Sequence, residues 1–554
     1  MLKRLKCRLQ RILIMVVLRE SISELKARLK DASWLHRNRV DDPTDLVDSL
    51  MNFSNYVHKR TPGTRNLVLL DNFPIYRWAI PNILLAHEIA GQSDARVAIF
   101  SFRQVAVSAK LLYMKLFVDE FIIIRLTLIQ KLSLFREYRR LIRYLESNES
   151  LIDYRITEIP IGLDIYESIL RSGQATLDLS IQQTYRVAYL GLKQFVFFRS
   201  LFEKERIKSV LVSHDNYIGP GLLAHMAFHF NVEVILANLF SMTIPEKEFQ
   251  LYEVFSRYKI YAEYLGERQL SSGSAWAKTE LSKRIQGTLG IGIKYQNKSA
   301  FDSEFIDRQT SEESVTKVLV LTHDFFDNPH GYARMTFEDF YIWMTFLANI
   351  SKETNYEWYI KPHRDYSGVE LGILKLFLAT NTNFHMINPE TSFHQLKSEG
   401  IDFALTCFGT VGHELPLLGF TVINASYNPH IAFDFNVSTN SQAEYEQILR
   451  HISDYKLTSI NHDEIYCFYF IHHQIVQSDQ FMGISVDALD KISKGQLNSQ
   501  SELEFLLKNL DKIAENSFAY LESMRATGRV YAFEDFLPPE IQLKRKSFSN
   551  SLGK

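Results

Sequence analysis

The sequence is poor in cysteine and has no long hydrophobic run, and each shortage excludes a class of protein. Its three cysteines, Cys7, Cys407 and Cys467, are too few and too far apart for a disulfide framework or for a zinc site, whose ligands come in closely spaced pairs. No run approaches the roughly 20 apolar residues that cross a bilayer, and the apolar stretch Ile12 to Leu18 lacks the cleavage site of a secretory signal. We therefore expect a protein of the reducing cytoplasm.

Net charge is also nearly absent, because acids and bases balance to -2 at neutral pH. Without a basic field the chain lacks the attraction that supplies most non-specific binding to nucleic acid, so nucleic acid is not an expected partner. What the chain does have is length and apolar content. Its 554 residues, 46% of them apolar, can fill the cores of two large domains.

The N-terminus departs from this charge balance. Within residues 1–30, six cations precede the first acid, Glu20. We expect residues 1–40 to form a basic amphipathic helical segment, for which two roles remain open. In the first role, residues 1–30 bind the anionic inner face of the cell membrane. In the second, their Leu and Ile side chains pack on the body of the protein. The six cations are Lys3, Arg4, Lys6, Arg8, Arg11 and Arg19.

Short apolar runs alternate with helical patterns along most of the chain, which is typical of parallel strands joined by crossover helices. In the first half these runs are residues 67–70, 97–100, 121–124, 209–212 and 232–236. In the second half they are residues 318–321, 357–361, 384–387, 402–407 and 421–424. Residues 271–316, which lie between the two series, are polar and contain Gly and Ser, and this composition indicates a connector.

From this alternation we predict an α/β fold with two Rossmann-like domains that face a cleft. The predicted boundaries are residues 41–270 for the N-terminal domain, 317–500 for the C-terminal domain and 501–554 for a helical tail. Parallel sheets bind ligands beyond the carboxyl ends of their strands. Polar residues that directly follow the strands are therefore the candidate site residues.

The turn at 409–412 lies between an apolar strand and a predicted helix that begins at His413. The free amides of a first helical turn and the positive end of the helix dipole favour a phosphate group there. Glu414, one residue into the helix, could accept hydrogen bonds from ribose hydroxyls. The alternative is a tight strand-to-helix turn with a surface Glu. The turn residues are Gly409, Thr410, Val411 and Gly412.

A cluster of donors follows another strand, where Pro362 prevents the strand from continuing. Lys361, His363 and Arg364 lie around this proline and are predicted to extend beyond the edge of the sheet. Three such donors could neutralise a diphosphate or a sugar carboxylate. The alternative is that they are ordinary loop residues.

Candidate acid and base groups follow the strands in both halves. His214 and Asp215 come after a strand of the first half, and Asp324 and Asp327 come after the first strand of the second half. Any of the four could take a proton from an acceptor hydroxyl, and the sequence does not rank them. A capping Asp with a structural His is an equal reading of the first pair. No metal site is predicted, because nothing in these segments fixes a ligand geometry.

With these residues in hand, the second half resembles bacterial surface-polysaccharide biosynthesis proteins of the GT-B glycosyltransferase type, especially the capsule-biosynthesis and Kdo-transferase-like group. The resemblance rests on three features: Lys361-Pro362-His363, the turn 409–412 with Glu414, and Leu418-Gly419 leading into Val422-Ile423. It implies transfer of a sugar from a nucleotide-activated donor to a growing surface polysaccharide or lipid-linked glycan.

In that reading the second domain binds the nucleotide sugar, with His363 at the phosphate and Glu414 at the ribose, and the first domain binds the acceptor. No obligatory metal or other cofactor is expected, because basic side chains and a helix dipole can stabilise the leaving phosphate. Arg364 stands where the resembling pattern has a proline. The nucleotide therefore stays open, with a CMP-linked donor as the first expectation.

Three other readings share this architecture or this ligand. Two are enzymes of the same fold, a nucleotide-sugar epimerase and a CDP-glycerol glycerophosphotransferase. The third is a non-catalytic scaffold that binds glycan or nucleotide within a polysaccharide assembly complex. Product analysis separates the enzymes, and loss of turnover on substitution of His363 or Glu414 separates an enzyme from a scaffold.

Overall fold

The structure is a computed structural model that describes residues 65–545, except for 72, 74, 102–117, 148, 238–241, 247–250, 289–298, 303, 333–334, 365, 478–481 and 494–498. The predicted basic segment, residues 1–40, lies outside the described residues. So does Cys7.

The first sheet contains the five strands that the apolar runs of the first half predict: β1 (Asn66–Leu70), β2 (Arg96–Ser101), β3 (Glu120–Ile123), β6 (Arg206–Val212) and β7 (Glu233–Ala237). A short strand that was not predicted, β8 (Met242–Thr243), adds to it, and a separate hairpin of β4 (Arg155–Ile156) and β5 (Ile159–Pro160) precedes β6. The order in the sheet is β3-β2-β1-β6-β7-β8. All neighbours run parallel except the antiparallel pair β7 and β8.

Helices connect these strands and cover the sheet. They are α1 (Tyr76–Ser93), α2 (Leu128–Leu145), α3 (Gly162–Arg171), α4 (Gln182–Lys204) and α5 (Leu222–His229). Helices pack on each side of the sheet, so apolar side chains of β1 and β6 are buried on both faces. This is the pattern expected of a parallel sheet.

Between the two sheets in the chain, the described residues form three helices: α6 (Leu251–Phe255), α7 (Tyr258–Tyr264) and α8 (Glu267–Ile285). Residues 271–285, the first part of the predicted connector, belong to α8. Their polar composition reflects a helix whose outward face is solvated, whereas Gly273, Ala277 and Leu281 are buried. The Gly and Ser content that indicated a loop is therefore compatible with a helix in this place.

The second sheet repeats the strand order of the first. Its strands are β9 (Lys317–Leu321), β10 (Glu357–Lys361), β11 (Phe384–Met386), β12 (Phe403–Thr406), β13 (Thr421–Asn424) and β14 (Val437–Ser438). They are all parallel, in the order β11-β10-β9-β12-β13-β14. Both sheets thus have the 3-2-1-4-5 order of a doubly wound fold, and the prediction of two Rossmann-like domains is confirmed.

The helices of this domain are α9 (Phe340–Ser351), α10 (Gly368–Thr380), α11 (Phe393–Ser398), α12 (Val411–Glu414) and α13 (Gln442–Arg450). Asp339 caps α9, because its Oδ1 accepts the Ile342 amide at 2.7 Å. The Ser392 hydroxyl caps α11 by accepting the Gln395 amide at 3.2 Å. Local capping therefore fixes where these helices begin.

The chain then returns to the first domain. After α14 (His462–Phe470), which packs on α8, come α15 (Val486–Ser493), α16 (Gln500–Lys508) and α17 (Leu510–Thr527). In the described part of the predicted tail, residues 501–545, most of α16 and all of α17 pack on α1 and complete one of the two cores of the first domain. Within that contact Arg77 Nε donates to Glu502 Oε1 at 2.8 Å, with both side chains at most 2% exposed.

Candidate functional site

A cavity of about 490 Å³ opens at the carboxyl edge of the second sheet. The ends of β9, β10 and β12 border it, so it includes the point between β9 and β12 where the strand order reverses. Doubly wound sheets bind their ligands at such points, and the volume is typical of a small-molecule site. The predicted site residues on its wall are Asp324, Asp327, Lys361, His363, Arg364, Gly409, Thr410, Val411 and Glu414.

The turn after β12 contributes its first three residues to this β9–β12 cavity. The Gly409 amide donates to Thr406 Oγ1 at 3.2 Å, which holds the turn against the end of the strand. Thr410 and Val411 begin the short helix α12, so their amides are of the kind that an intrahelical carbonyl cannot satisfy. A Cβ on Gly409 would come 3.5 Å from the ring of His323, another residue of the wall.

Gly412 and His413 are placed elsewhere. A Cβ on Gly412 would lie 2.3 Å from the ring of His430, so this glycine allows close packing of the histidine and does not border the cavity. His413 Nδ1 lies 3.0 Å from His430 Nε2, and both rings are buried against Phe468. Burial lowers the pKa of His430 to about 3 and that of His413 well below its ordinary value. The structure thus separates these two residues from the rest of the predicted site.

Lys361 and Arg364 reach the wall but are held by backbone carbonyls. Lys361 Nζ donates to the Pro389 carbonyl at 2.6 Å, and Arg364 Nε donates to the same oxygen at 3.0 Å. Arg364 also donates to the carbonyls of Ser299 and Glu390, so its guanidinium ties two segments to the end of β10. Burial and the charge of Arg364 lower the pKa of Lys361 to about 7. An anion in the cavity would raise it again.

Glu414 forms a buried ion pair that the sequence did not reveal. Its Oε1 accepts Arg284 Nε at 2.8 Å, with the two side chains 2% and 3% exposed, and both residues border the cavity. Arg284 belongs to α8, and its guanidinium lies 5.2 Å from the centre of the Phe301 ring. Because 130 residues separate the partners and Arg284 fell within the predicted connector, only the tertiary structure shows the pair.

His323 is a second wall residue that sequence reasoning left out of the site. Its Nε2 accepts the Cys407 amide at 3.1 Å and lies 3.0 Å from Thr406 Oγ1, while its ring stacks on Phe340. Burial and the nearby His363 lower the pKa of His323 to about 3. Since Nε2 is an acceptor, the neutral ring carries its proton on Nδ1. His323 therefore joins the ends of β9 and β12 at the reversal point.

The reversal point of the first sheet, between β1 and β6, also carries a polar group. The Ser213 hydroxyl lies 3.3 Å from Asp71 Oδ2, to which it donates, and 2.6 Å from His214 Nδ1. A hydroxyl that donates to the carboxylate accepts from the imidazole, which leaves the lone pair of His214 on Nε2. Burial and Arg171 lower the pKa of His214 to about 4, so the ring is neutral at neutral pH.

The two carboxyl edges face each other across a cleft. Tyr166 of α3 donates its hydroxyl proton to Asp339 Oδ2, and Arg171 Nη1 lies 3.8 Å from Asp327 Oδ1. Tyr217, whose ring packs edge-to-face on His214 at 5.7 Å, has a pKa raised by burial and by Asp327. Predicted site residues of both domains thus come together at one cleft, which is the arrangement known as GT-B.

Within the ranges that the structure describes, no group of three or more His, Cys, Asp or Glu is arranged to hold a metal ion. Over the same ranges, no helix combines the length and the apolar character that a membrane span needs. The expectation of a metal-free reaction stays a prediction.

No family model and no curated protein sequence matches the chain. Solved structures match it weakly. KpsC, a beta Kdo 2,4 transferase from Thermosulfurimonas dismutans, aligns over 48% of this chain and 80% of its own at 11% identity, with a TM-score of 0.29. The UDP-GlcNAc 2-epimerase from Neisseria meningitidis bound to UDP-GlcNAc aligns over 74% of this chain and 98% of its own. The two are 14% identical, and the TM-score is 0.22. The assignment of the fold therefore rests on the strand order of the two sheets.

Proposed function

We propose that the protein is a glycosyltransferase that moves a sugar from a nucleotide-activated donor to a growing surface polysaccharide or a lipid-linked glycan. One observation carries the proposal. The reversal points of two doubly wound sheets face each other across a cleft, with an anion-compatible cavity on one side and a neutral, oriented histidine on the other. Donor and acceptor need two such opposed sites.

On the donor side, Lys361, His363 and the turn 409–411 border the β9–β12 cavity. A cation with a pKa of about 7 and the first-turn amides of Thr410 and Val411 favour a phosphate at this place. The Arg284–Glu414 pair lies on the same wall. We assign to Glu414 the role of holding the ribose, with Arg284 fixing the orientation of its carboxylate.

On the acceptor side, we assign the base to His214. Its Nε2 takes the proton of the acceptor hydroxyl while the hydroxyl oxygen bonds to the anomeric carbon. The bond from that carbon to the phosphate oxygen breaks, and the nucleotide leaves with the electron pair. Ser213 and Asp71 hold the imidazole in the tautomer that this step needs. Asp215, Asp324 and Asp327 also line or flank the cleft and remain candidates for positioning the sugar.

Calorimetric titration with CMP, CDP, UDP, GDP and their common sugar conjugates tests the donor site. We expect one nucleotide family to bind, and His363→Ala to weaken its binding by at least tenfold, as loss of about 1.4 kcal/mol would. His385→Ala is the matched control, because His385 is an exposed histidine on β11 of the same sheet, outside the cavity wall. Equal binding by both variants would contradict the donor site.

Turnover then distinguishes the enzymes. Release of nucleotide is measured with water as the acceptor and again with a mixture of glycans. A transferase releases nucleotide faster with glycan, an epimerase converts the free sugar nucleotide without it, and a scaffold binds without turnover. We expect His214→Ala to lower turnover 10²–10⁴-fold with unchanged donor binding. His229 is an exposed histidine of the same domain, so His229→Ala should leave turnover and donor binding unchanged.

A further inference from the structure

Helix α2 exposes an apolar surface on its first two turns. Four large apolar side chains there are between 46 and 80% exposed: Leu128, Ile129, Leu132 and Phe135. The opposite side of the same helix is buried against α4, with Leu134, Tyr138, Leu141 and Leu145 in the core. The helix therefore lies along the surface of the first domain and presents these four side chains to solvent.

The same outward side of the helix is strongly basic. Six exposed cations lie between Glu120 and Glu146: Arg125, three residues before the helix begins, and Lys131, Arg136, Arg139, Arg140 and Arg143 on the helix itself. The one acid in this interval, Glu137, is buried and accepts Arg136 Nε at 3.1 Å. We call the four apolar residues and these six cations the α2 face.

The beginning of α2 is fixed, so the exposed apolar residues are not at a frayed end. The Thr127 hydroxyl accepts the Gln130 amide at 3.3 Å, and Gln130 Oε1 accepts the Thr127 amide at 2.8 Å. This reciprocal capping box satisfies two amides of the first turn. Farther along, the Arg139 guanidinium lies 5.7 Å from the centre of the Phe135 ring, so basic and apolar parts adjoin.

We propose that the α2 face docks on the surface of an anionic lipid bilayer. A helix that lies in the plane of a membrane interface buries an apolar side in the headgroup region while its Lys and Arg side chains contact anionic lipids. The α2 face has both parts, and the cations extend from the apolar patch along the same helix. Other exposed apolar residues form pairs at most, such as Phe305 with Ile306 and Val369 with Leu376, and neither pair lies beside a comparable group of cations.

Charge decides between a bilayer and the other partners that could cover the α2 face. A second copy of the chain, paired on this face, would place these cations against the same cations. Residues 1–19 contain six cations and no acid, and residues 102–117 contain three and none. These two segments would therefore meet the face with like charge. Residues 41–48 contain four acids, but Leu46 and Val47 are their only large apolar side chains, against four on the face. An anionic lipid surface matches both parts of the face, because it offers negative headgroups and an apolar interior.

The position of α2 relates the face to the cleft. Helix α2 begins five residues after β3, at the carboxyl edge of the first sheet, and β6 with His214 lies three strands away in that sheet. At the spacing of neighbouring strands this is about 14 Å. A bilayer on the α2 face would thus lie beside the edge where an acceptor binds. This last step rests on the proposed function, whereas docking itself does not.

Co-sedimentation of the full-length protein with vesicles tests the proposal. One set of vesicles is pure phosphatidylcholine, and the other contains phosphatidylglycerol at about a third of the lipid. We expect binding to the anionic vesicles that weakens as salt rises. Replacing Leu128, Ile129 and Leu132 by Ser should reduce the partition coefficient by at least tenfold. Arg139→Gln and Arg143→Gln should each reduce it by about fivefold.

Leu376→Ser is the matched control, because Leu376 is 72% exposed on α10 of the second domain. It should leave vesicle binding unchanged. Equal binding of the wild type and the triple serine variant would overturn the proposal and assign any membrane contact to another segment. So would a dimer, measured by light scattering without lipid, that the triple variant abolishes. Donor binding, measured in the same variants, should be unchanged, so a failed donor site and a failed docking face are distinguishable.

Discussion

Glu167 lies on α3 where the two domains meet, and its side chain has no accessible surface. Burial raises the pKa of Glu167 well above its ordinary value of 4.5, and the nearby Asp164, Asp215 and Asp327 raise it further. The backbone of His330, in the second domain, opposes this shift. Folding therefore favours the protonated carboxyl, and ionisation of this one buried group lowers the free energy of unfolding.

The sign of the pH dependence follows. The stabilising contribution of a carboxyl with a raised pKa is present below its unfolded value and is lost as pH rises from about 4.5 towards the folded value. We expect Glu167→Gln to be increasingly more stable than the wild type as pH rises from 5 to 8, in urea unfolding. Glu203→Gln, at an exposed position of α4, should follow the wild type at every pH. If the free energy of unfolding of Glu167→Gln differed from that of the wild type by the same amount at every pH, the raised pKa of Glu167 would be contradicted.

Lys361 gives the donor site a pH dependence of its own. Its pKa is about 7, lowered first by burial and then by Arg364, and only the protonated amine attracts a phosphate. The phosphates of a nucleotide sugar stay ionised over this range, so the lysine carries the change. Affinity for the donor should fall about eightfold between pH 6.5 and 8. Calorimetry should find a smaller change in Lys361→Met, whereas Lys375→Met, exposed on α10, should retain the full change.

At the scale of elements, two glycines make a matched pair. A Cβ on Gly273 of α8 would lie 2.4 Å from the ring of Phe470 on α14, whereas a Cβ on Gly372 of α10 would meet nothing within 4 Å. Gly273→Ala should therefore destabilise the protein by about 1–3 kcal/mol through overpacking. Gly372→Ala should stabilise it by about 0.5–1 kcal/mol, because alanine favours a helix. Thermal unfolding measures both, and a stabilising Gly273→Ala would contradict the close packing of α8 on α14.

Strands such as β1, β9 and β13 could be predicted because they are apolar runs that are buried along nearly their whole length, whereas His385 and Met386 of β11 are exposed. The wall of the cavity followed from them, since Lys361, His363 and Gly409 come directly after strands whose carboxyl ends meet. The pairs Arg284–Glu414 and Asp71–Ser213 could not be predicted, because their members are distant in the chain. Asp71 directly follows β1, so its position after a strand could have marked it as a candidate site residue.

The turn at 409–412 shows where a local pattern is insufficient. Its two glycines lie in one four-residue turn but have different reasons to be glycine. Gly409 borders the cavity, whereas Gly412 makes room for the ring of His430. The side of a four-residue helix that faces a ligand depends on what packs behind it. That information lies in the buried histidines, which come later in the chain.

At the scale of the whole molecule, the first domain depends on residues from both ends of the described chain. The buried pair of Arg77 on α1 and Glu502 on α16 joins segments 425 residues apart. Glu502→Ala should cost about 3–5 kcal/mol, because it leaves a buried charge unpaired. Hydrogen exchange should locate the loss in the first domain, while Glu504→Ala, at an exposed position nearby, should have little effect. Arg77→Met combined with Glu502→Leu should recover much of the stability.

The return of the chain to α1 also sets an order of events during translation. The described strands of the first sheet have all been synthesised by residue 243, but the helices that complete its core follow some 260 residues later. At about 5–20 residues per second this is a delay on the order of tens of seconds. The second domain, whose elements are contiguous, can fold within that interval. Until α16 and α17 are synthesised, the nascent first domain exposes the apolar surface of α1 that they cover. It is therefore the part of the nascent chain that most needs a chaperone.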